Sequence, residues 1–241
     1  MNKNNSGEYW DSRLTQSPEN PFPLAPKDWI EKVMAKWKSG NDAERGKYER
    51  KYRKENRRFG NFCRKKMLVE LKNMDPGRIN VLGLGLRRDI AWTEMAVRMG
   101  FGVSIWDMSR FACENARREL MILMNITQVE IMAGWKSGEI DEQDAVAYYA
   151  CQFIEHQGDE LPMFMHHLGE FLRVPGRKVY LILPRLEDNP SNKVKWNSAS
   201  PPLDHQWQKP LLEGFGGQLN IYVLGKHKYF NRMYTFVRIS M

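Results

Sequence analysis

The sequence predicts an α/β protein: a doubly wound, mostly parallel seven-stranded sheet with an antiparallel C-terminal edge and an N-terminal helical extension. Three observations carry this prediction. Between residues 78 and 183, short apolar runs alternate with segments of helical period, as expected of parallel strands covered on both faces by crossover helices. The first run, RINVLGLGL at 78–86, leaves through glycines, and the second, GVSIW at 102–106, ends on Asp107. The last two apolar runs, 218–224 and 234–240, follow one another with no helical segment between them, which reads as an antiparallel pair.

The elements follow in order. Residues 1–28 are rich in Pro, Asn and Ser and read as an extended leading segment, docked through Tyr9, Trp10, Phe22 and Trp29. Asp28 reads as the N-cap of a helix through Lys38. After the turn SGND at 39–42, residues 44–72 form a helix, or a pair of helices broken at Gly60, ended by Asp75-Pro76-Gly77. The strand at 78–86 precedes a helix over 89–99, a strand over 102–106 and a long helix over 109–124 capped by Ser109 or Asp107. Strands at 128–132 and 145–150, a helix at 161–172 and a strand at 178–183 stopped by Pro184 complete the alternating part. A polar loop over 187–209 carries Trp196, His205 and Trp207; as a lid it would wall an apolar or aromatic substrate. The expected division is 1–75 for the extension with its basic helical segment and 76–241 for the sheet domain.

Charge is concentrated in the extension. Of 37 Lys and Arg and 29 Asp and Glu, 15 basic and 5 acidic residues lie between Lys32 and Lys72, a local +10. The remaining 22 basic and 24 acidic residues nearly cancel. The segment 44–72, with an irregularly spaced apolar stripe of Tyr48, Tyr52, Phe59, Phe62 and Met67, therefore reads as a solvated helix face packed by its aromatics onto the main domain, as a surface for nucleic acid or another polyanion, where clustered cations gain affinity by counterion release, or as a basic amphipathic helix on a membrane surface. No apolar stretch is long enough for a membrane span, and the polar start lacks an apolar signal region. Cys63, Cys113 and Cys151 show no CxxC or Cys/His spacing, so neither a disulfide framework nor a zinc finger is expected, and a cytoplasmic setting is the default.

The unit that carries chemistry is Val81-Leu82-Gly83-Leu84-Gly85-Leu86, a helix, and a strand ending at Asp107. Two glycines after a first strand let the backbone approach a ligand, and an acid ending the next strand can accept both ribose hydroxyls of a nucleoside. Taken alone, this fits dinucleotide-binding and adenosylmethionine-binding proteins alike. The third glycine of a dinucleotide fingerprint is replaced by Arg88, which argues against a pyrophosphate, although Arg87 and Arg88 could themselves meet phosphate.

With these blocks in view, the chain resembles the class I, Rossmann-like S-adenosylmethionine-dependent methyltransferases, in particular their small-molecule branch. The opening GEYWDSRL is similar to the Trp-containing start of many small members. RINVLGLGL stands at the first motif, and VSIWDMS supplies the ribose-binding acid Asp107 followed by Met108, the residue that flanks adenine. DAVAYYACQFIEH resembles the fourth-strand segment, placing Ala150 and Gln152 beside the cofactor and ending in Ile154-Glu155-His156, where the family commonly has Leu-Glu-His. GEFLRVPGRKVYLILP resembles the segment leading into the fifth strand. The first motif is degenerate: Gly83 stands where the family has an acid, Gly85 is its first glycine, and Arg87 and Asp89 replace the second and third. After the third strand the family's Gly-Asp is Gly134-Trp135, which can pack on adenine but cannot accept from its amine.

The resemblance implies S-adenosylmethionine as cofactor, bound by Gly83, Gly85, Asp107, Met108, Gly134, Trp135, Ala150 and Gln152, and methyl transfer to a small-molecule acceptor. His156 is the candidate general base, with His166 and His167 as further candidates, because histidine is the residue type suited to proton transfer at neutral pH. No metal site is expected. Two other readings stand beside this one: an RNA-modifying methyltransferase using the basic helix at 44–72, and a catalytically silent nucleotide-binding scaffold of the same fold.

Overall fold

The computed structural model describes residues 7–23, 25–83, 92–124, 129–133, 140, 142–153, 161–185, 219–230 and 232–241. Seven strands form one sheet: β1 (Arg78–Leu82), β2 (Gly102–Asp107), β3 (Val129–Ala133), β4 (Ala145–Cys151), β5 (Lys178–Arg185), β6 (Asn220–Tyr229) and β7 (Arg232–Ser240). Their order is β3-β2-β1-β4-β5-β7-β6. The first five strands in that order pair in parallel, while β7 runs antiparallel to both β5 and β6. This is the expected doubly wound, mostly parallel sheet with an antiparallel C-terminal edge.

Strand periodicity divides the core between the two faces. Tyr149, Tyr180 and Phe236 point to the face covered by α2 (Lys27–Ser39), α3 (Asp42–Leu71), α4 (Thr93–Arg98) and α5 (Arg110–Met124), where they join Trp29, Phe59 and Met67. Their neighbours Tyr148, Leu181 and Val237 point to the face covered by α6 (Leu161–Leu172), where they join Phe164, Leu168 and Phe171.

Several elements differ from the sequence reading, each for a local reason. The leading segment is not extended throughout: α1 (Gly7–Leu14) forms within it. Asp28 is not an N-cap. Helix α2 begins two residues earlier, at Lys27 behind Pro26, and the Asp28 carboxylate accepts from Arg232 at 2.8 Å, tying the first turn of α2 to β7. Gly60 does not break α3, which is continuous for 30 residues. An interior glycine costs about 1 kcal/mol relative to alanine, but Phe59, Cys63 and Met67 are all fully buried on the same stretch of helix, and their packing offsets that cost. The start of α3 is fixed by a capping box: the Glu44 amide donates to Asn41 Oδ1 at 3.0 Å, and the Asn41 amide donates to Glu44 Oε2 at 3.2 Å.

Pro184 lies inside β5 rather than ending it. Pairing between β4 and β5 stops at Ile182, so the missing N–H of Pro184 interrupts no bond to β4 while the strand continues beside β7. Strand β6 runs on to Tyr229 through an irregularity at Val223/Gly225. There the lysine stem of Lys66 crosses so closely that a Cβ on Gly225 would lie 2.7 Å from Lys66 Cε. The expected lid over 187–209, with Trp196, His205 and Trp207, lies outside the described residues. No helix among the described residues is long and apolar enough to cross a membrane.

Candidate cofactor site at the carboxyl edge of the sheet

Strand β1 has β2 on one side and β4 on the other, so the winding direction reverses there. In open α/β sheets, ligands bind in the crevice above such a switch point, at the carboxyl ends of the strands. The residues that end β1, β2 and β4 therefore face any ligand held here.

Strand β1 leaves through Gly83. Its amide donates to the Trp106 carbonyl at 2.9 Å, and its φ is +73°, in the left-handed region. A Cβ at this position would lie 2.7 Å from Phe153 Cδ2. Backbone conformation and space both demand glycine. The pairing Leu82↔Trp106 sets Asp107, one residue on, beside Gly83.

Asp107 is 9% exposed, and its Oδ1 accepts from the Ser109 amide at 2.7 Å. This bond closes the turn into α5, where Ser109 is the N-cap: its Oγ accepts from the Ala112 amide at 3.0 Å. Both residues expected to cap this helix therefore act at its start. Cys113 packs beneath, donating to the Met132 carbonyl at 3.4 Å. Burial, reinforced by the Asp107 carboxylate, pushes its thiol up to about 12, so it stays neutral and unreactive.

The N-terminal helix completes this corner. Asp11 of α1 accepts from Ser109 Oγ at 2.6 Å and from the Phe111 amide at 3.0 Å, a second anionic cap on α5 delivered from 98 residues away. Gly7 lies so near the half-buried Met108 that an added Cβ would stand 2.6 Å from the Met108 carbonyl oxygen. Local spacing gave no signal of this contact; the only hint was the Trp-containing opening that carries Asp11.

Strand β4 brings up the other side. Ala150 pairs with Leu82, and Gln152, just past the strand, has φ +53° with its amide donating to the Ile182 carbonyl at 3.0 Å. A left-handed glutamine is uncommon and marks a held turn. Phe153 follows, packed on Phe164 with ring centroids 5.3 Å apart. Gly83, Asp107, Met108, Ala150 and Gln152 thus share the carboxyl edges of β1, β2 and β4. Gly85, Gly134, Trp135 and His156 lie outside the described residues, as do Arg87, Arg88 and Asp89.

The other two histidines considered as bases are elsewhere. His166 is exposed on α6. The His167 ring stands 3.0 Å from both the Tyr148 hydroxyl and Glu142 Oε1, and Tyr148 donates to the same Glu142 oxygen at 2.7 Å. Glu142 precedes β4 at the opposite edge of the sheet. Burial works to raise its carboxyl, but the bonds from His167 and Tyr148 and the charge of Arg177 outweigh it, and the net shift is downward. Among the described residues, no cluster of His, Cys, Asp or Glu could hold a metal ion.

No family model and no curated protein sequence matches the chain. Solved structures do. The N,N-8-amino-8-demethyl-D-riboflavin dimethyltransferase of Streptomyces davawensis aligns over 94% of this chain and 73% of its own, at 13% identity and a TM-score of 0.56. The methyltransferase domain of bacterial CtHen1 aligns over 73% of this chain and 95% of its own, at 17% identity and a TM-score of 0.54. The bifunctional kinase-methyltransferase WbdD aligns over 73% of this chain at 12% identity and a TM-score of 0.53, and this chain spans only 37% of its length. The fold is that of the class I methyltransferases.

Within the methyltransferase fold, the glycine bend and the acid beside it suit the ribose of an adenosyl group. The missing Cβ at Gly83 leaves backbone open to close approach, and a carboxylate on the neighbouring strand is chemically matched to a vicinal diol. The residues present therefore fit the nucleoside half of S-adenosylmethionine.

Proposed function

We propose that the protein is an S-adenosylmethionine-dependent methyltransferase that acts on a small-molecule acceptor. The observation that carries this reading is the Asp107 carboxylate set beside the left-handed Gly83 at the switch point of a methyltransferase fold. The alignment with a riboflavin-type dimethyltransferase over nearly the whole chain, extension included, favours a small molecule as acceptor.

In this reading Asp107 accepts the two ribose hydroxyls, and its bond to the Ser109 amide keeps the carboxylate oriented for them. Met108, Gly134 and Trp135 flank the adenine, while Gly83, Gly85, Ala150 and Gln152 line the path to the methionine end. When bound, S-adenosylmethionine supplies an electrophilic methyl group. The protein's part is to hold an acceptor nucleophile in line and exclude water, which is mainly a matter of positioning. His156, just beyond β4, removes the proton where the acceptor is an oxygen or nitrogen acid. Three cysteines that remain free thiols fit a cytoplasmic setting.

Thermal shift with S-adenosylmethionine, S-adenosylhomocysteine, NAD and NADP tests the cofactor. A ligand bound only by the native state at a hundredfold excess over its Kd stabilises it by roughly 2.7 kcal/mol. Stabilisation by the two sulfur ligands, abolished in Asp107→Ala and weakened in Asp107→Asn, is the expected result. Asparagine still accepts from the Ser109 amide, so it separates loss of the ribose contact from loss of the turn. A shift with NAD alone, or unchanged cofactor affinity in Asp107→Ala, overturns the assignment.

A further inference from the structure

We infer that the exposed face of α3 is a docking ridge for the phosphate backbone of duplex DNA. The inference goes beyond the proposed methyl transfer and does not depend on it, because the ridge lies on the helix surface and needs no cofactor.

The sequence of α3 sets its two faces apart. Phe59, Cys63 and Met67 bury one side against the sheet, and Glu70 is held there by Tyr180 and Arg238. On the opposite side, cations recur every seven residues in two exposed rows: Arg50, Arg57 and Arg64 in one, Lys51, Arg58 and Lys65 in the other. Adjacent residues on a helix are about 100° apart, so the rows form two flanks of one exposed arc, with Lys47, Lys54 and Asn61 between them. Of the six flank cations, only Arg58 has a carboxylate within ion-pair reach among the described residues, Glu55 at 3.7 Å. Among the described residues this face is only sparsely neutralised, by Glu55 on Arg58 and by Glu49 on the adjoining Arg53 at 3.0 Å, whereas outside residues 32–72 the chain carries 22 basic against 24 acidic residues.

The geometry selects among polyanions. Including Lys47 and Lys54, the ridge presents eight cations from Lys47 to Lys65, over about 27 Å of helix. That is about one per 3.4 Å, the linear charge density of one nucleic-acid strand. The cations stand in parallel along a rod rather than converging on a point, which disfavours a small anion. Two flanks about 100° apart suit the two walls of a groove better than a plane. The B-form major groove, about 12 Å wide, admits a helix, whereas the A-form major groove of RNA is too narrow and deep. The ridge has no exposed apolar side chain between Lys47 and Lys65 with which to enter a bilayer. No exposed ring is offered to unstacked bases either, since Tyr48 and Tyr52 are turned inward against the core. The contacts on offer are therefore to phosphates and are sequence-independent.

The turn between β6 and β7 lies at the carboxyl edge of the sheet, and there the Phe230 amide donates to Glu55 while Tyr229 donates to Asn56. The part of α3 before Glu55, with Lys47, Arg50, Lys51 and Lys54, thus extends past the edge on which the cofactor site stands.

The test is binding of the full chain, without cofactor, to a fluorescein-labelled 24-base-pair DNA duplex over a salt series. A duplex RNA of the same sequence and phosphatidylserine vesicles serve as the comparison arms. Micromolar binding is expected at low salt. Its logarithm should fall with the logarithm of salt concentration, at a slope of about −0.9 for each phosphate contacted. The quadruple variant Arg50→Gln, Lys54→Gln, Arg57→Gln, Lys65→Gln should lose at least tenfold in affinity and about 3 to 4 units of slope. Its S-adenosylmethionine thermal shift should be unchanged, which separates failure of the ridge from failure of the cofactor reading. A control variant on other helices, Arg98→Gln, Arg118→Gln, Arg173→Gln, which removes three charges against the ridge variant's four, should bind as the parent does. The inference is overturned by absent or salt-independent DNA binding, by tighter binding to RNA or vesicles, or by equal loss in the two variants.

Discussion

Gly83 concentrates two demands in one residue, and they can be separated by mutation. Gly83→Ala meets the left-handed φ of +73° and the Phe153 ring at 2.7 Å. Trimming the ring in Gly83→Ala/Phe153→Ala relieves only the second. The single variant should lose about 1–3 kcal/mol in denaturant unfolding from the backbone conformation alone, with a further loss from the clash. The double variant should not return to the stability of Phe153→Ala; full recovery would mean that the backbone relaxes freely. Asp11 offers a second test. Asp11→Ala removes an anionic cap and should cost about 1 kcal/mol, and it should also weaken cofactor binding by freeing the turn that holds Asp107. Asp11→Asn keeps the acceptor and should recover most of both. The two residues differ in how far the sequence betrays them. Gly83 and Asp107 end apolar runs, and a run's end is a position along the chain that periodicity can find. Asp11 acts on Ser109 and Phe111 across about a hundred residues, and no local pattern encodes that distance. Likewise, the histidines on α6 looked like candidate bases, yet whether a histidine faces a site or a structural carboxylate such as Glu142 is settled only by packing.

At the scale of the element, α3 shows why tertiary contacts decide what propensity leaves open. The helix reads as breakable at Gly60 because an isolated helix would fray there, but burial of the flanking side chains and four bonds to the sheet hold it as one rod. Glu70 is the anchor at its C-terminal end, accepting from Tyr180 at 2.9 Å and from Arg238 at 3.0 Å. Glu70→Leu leaves Arg238 without its partner and should destabilise the fold by about 3 kcal/mol, the low end for a broken buried pair because the arginine keeps some exposure. Against the same helix, His227 of β6 stacks on Phe62 with centroids 5.0 Å apart. Its pKa is lowered, first by burial and then by Arg58, with Glu55 opposing. A depressed folded value means that the unfolded state binds the proton more readily. Stability is therefore full above the ordinary value of 6.5 and is lost as pH falls through the shifted one. The Tm measured from pH 7.5 to pH 5 should drop more in the parent than in His227→Gln; parallel curves would show that the proton is taken up elsewhere.

At the scale of the whole molecule, the division expected from composition, 1–75 against 76–241, follows charge rather than core. All seven strands lie in the second part, but the apolar cluster on one face of the sheet is built from both: Phe22, Trp29, Phe59 and Met67 from the first, Ile79, Tyr149, Tyr180 and Phe236 from the second. Periodicity made the strands and their order of appearance legible. The aromatic stripe of the basic helix also made its packing on the sheet domain legible, as Phe59, Met67, Tyr48, Tyr52 and Phe62 bear out, but its irregular spacing could not reveal that the face it covers is that of β5-β7-β6. The shared cluster implies a single cooperative unit. Residues 76–241 expressed alone should expose the rings of Tyr149, Tyr180 and Phe236, bind a hydrophobic dye and unfold without a sharp transition, whereas the full chain should show one transition by far-UV and by tryptophan signals alike. Adding residues 1–75 as a separate polypeptide should restore the sharp transition if the interface is set by this packing. A fragment that unfolds cooperatively by itself and still responds to S-adenosylmethionine would show instead that the extension is an independent module resting on a self-sufficient sheet.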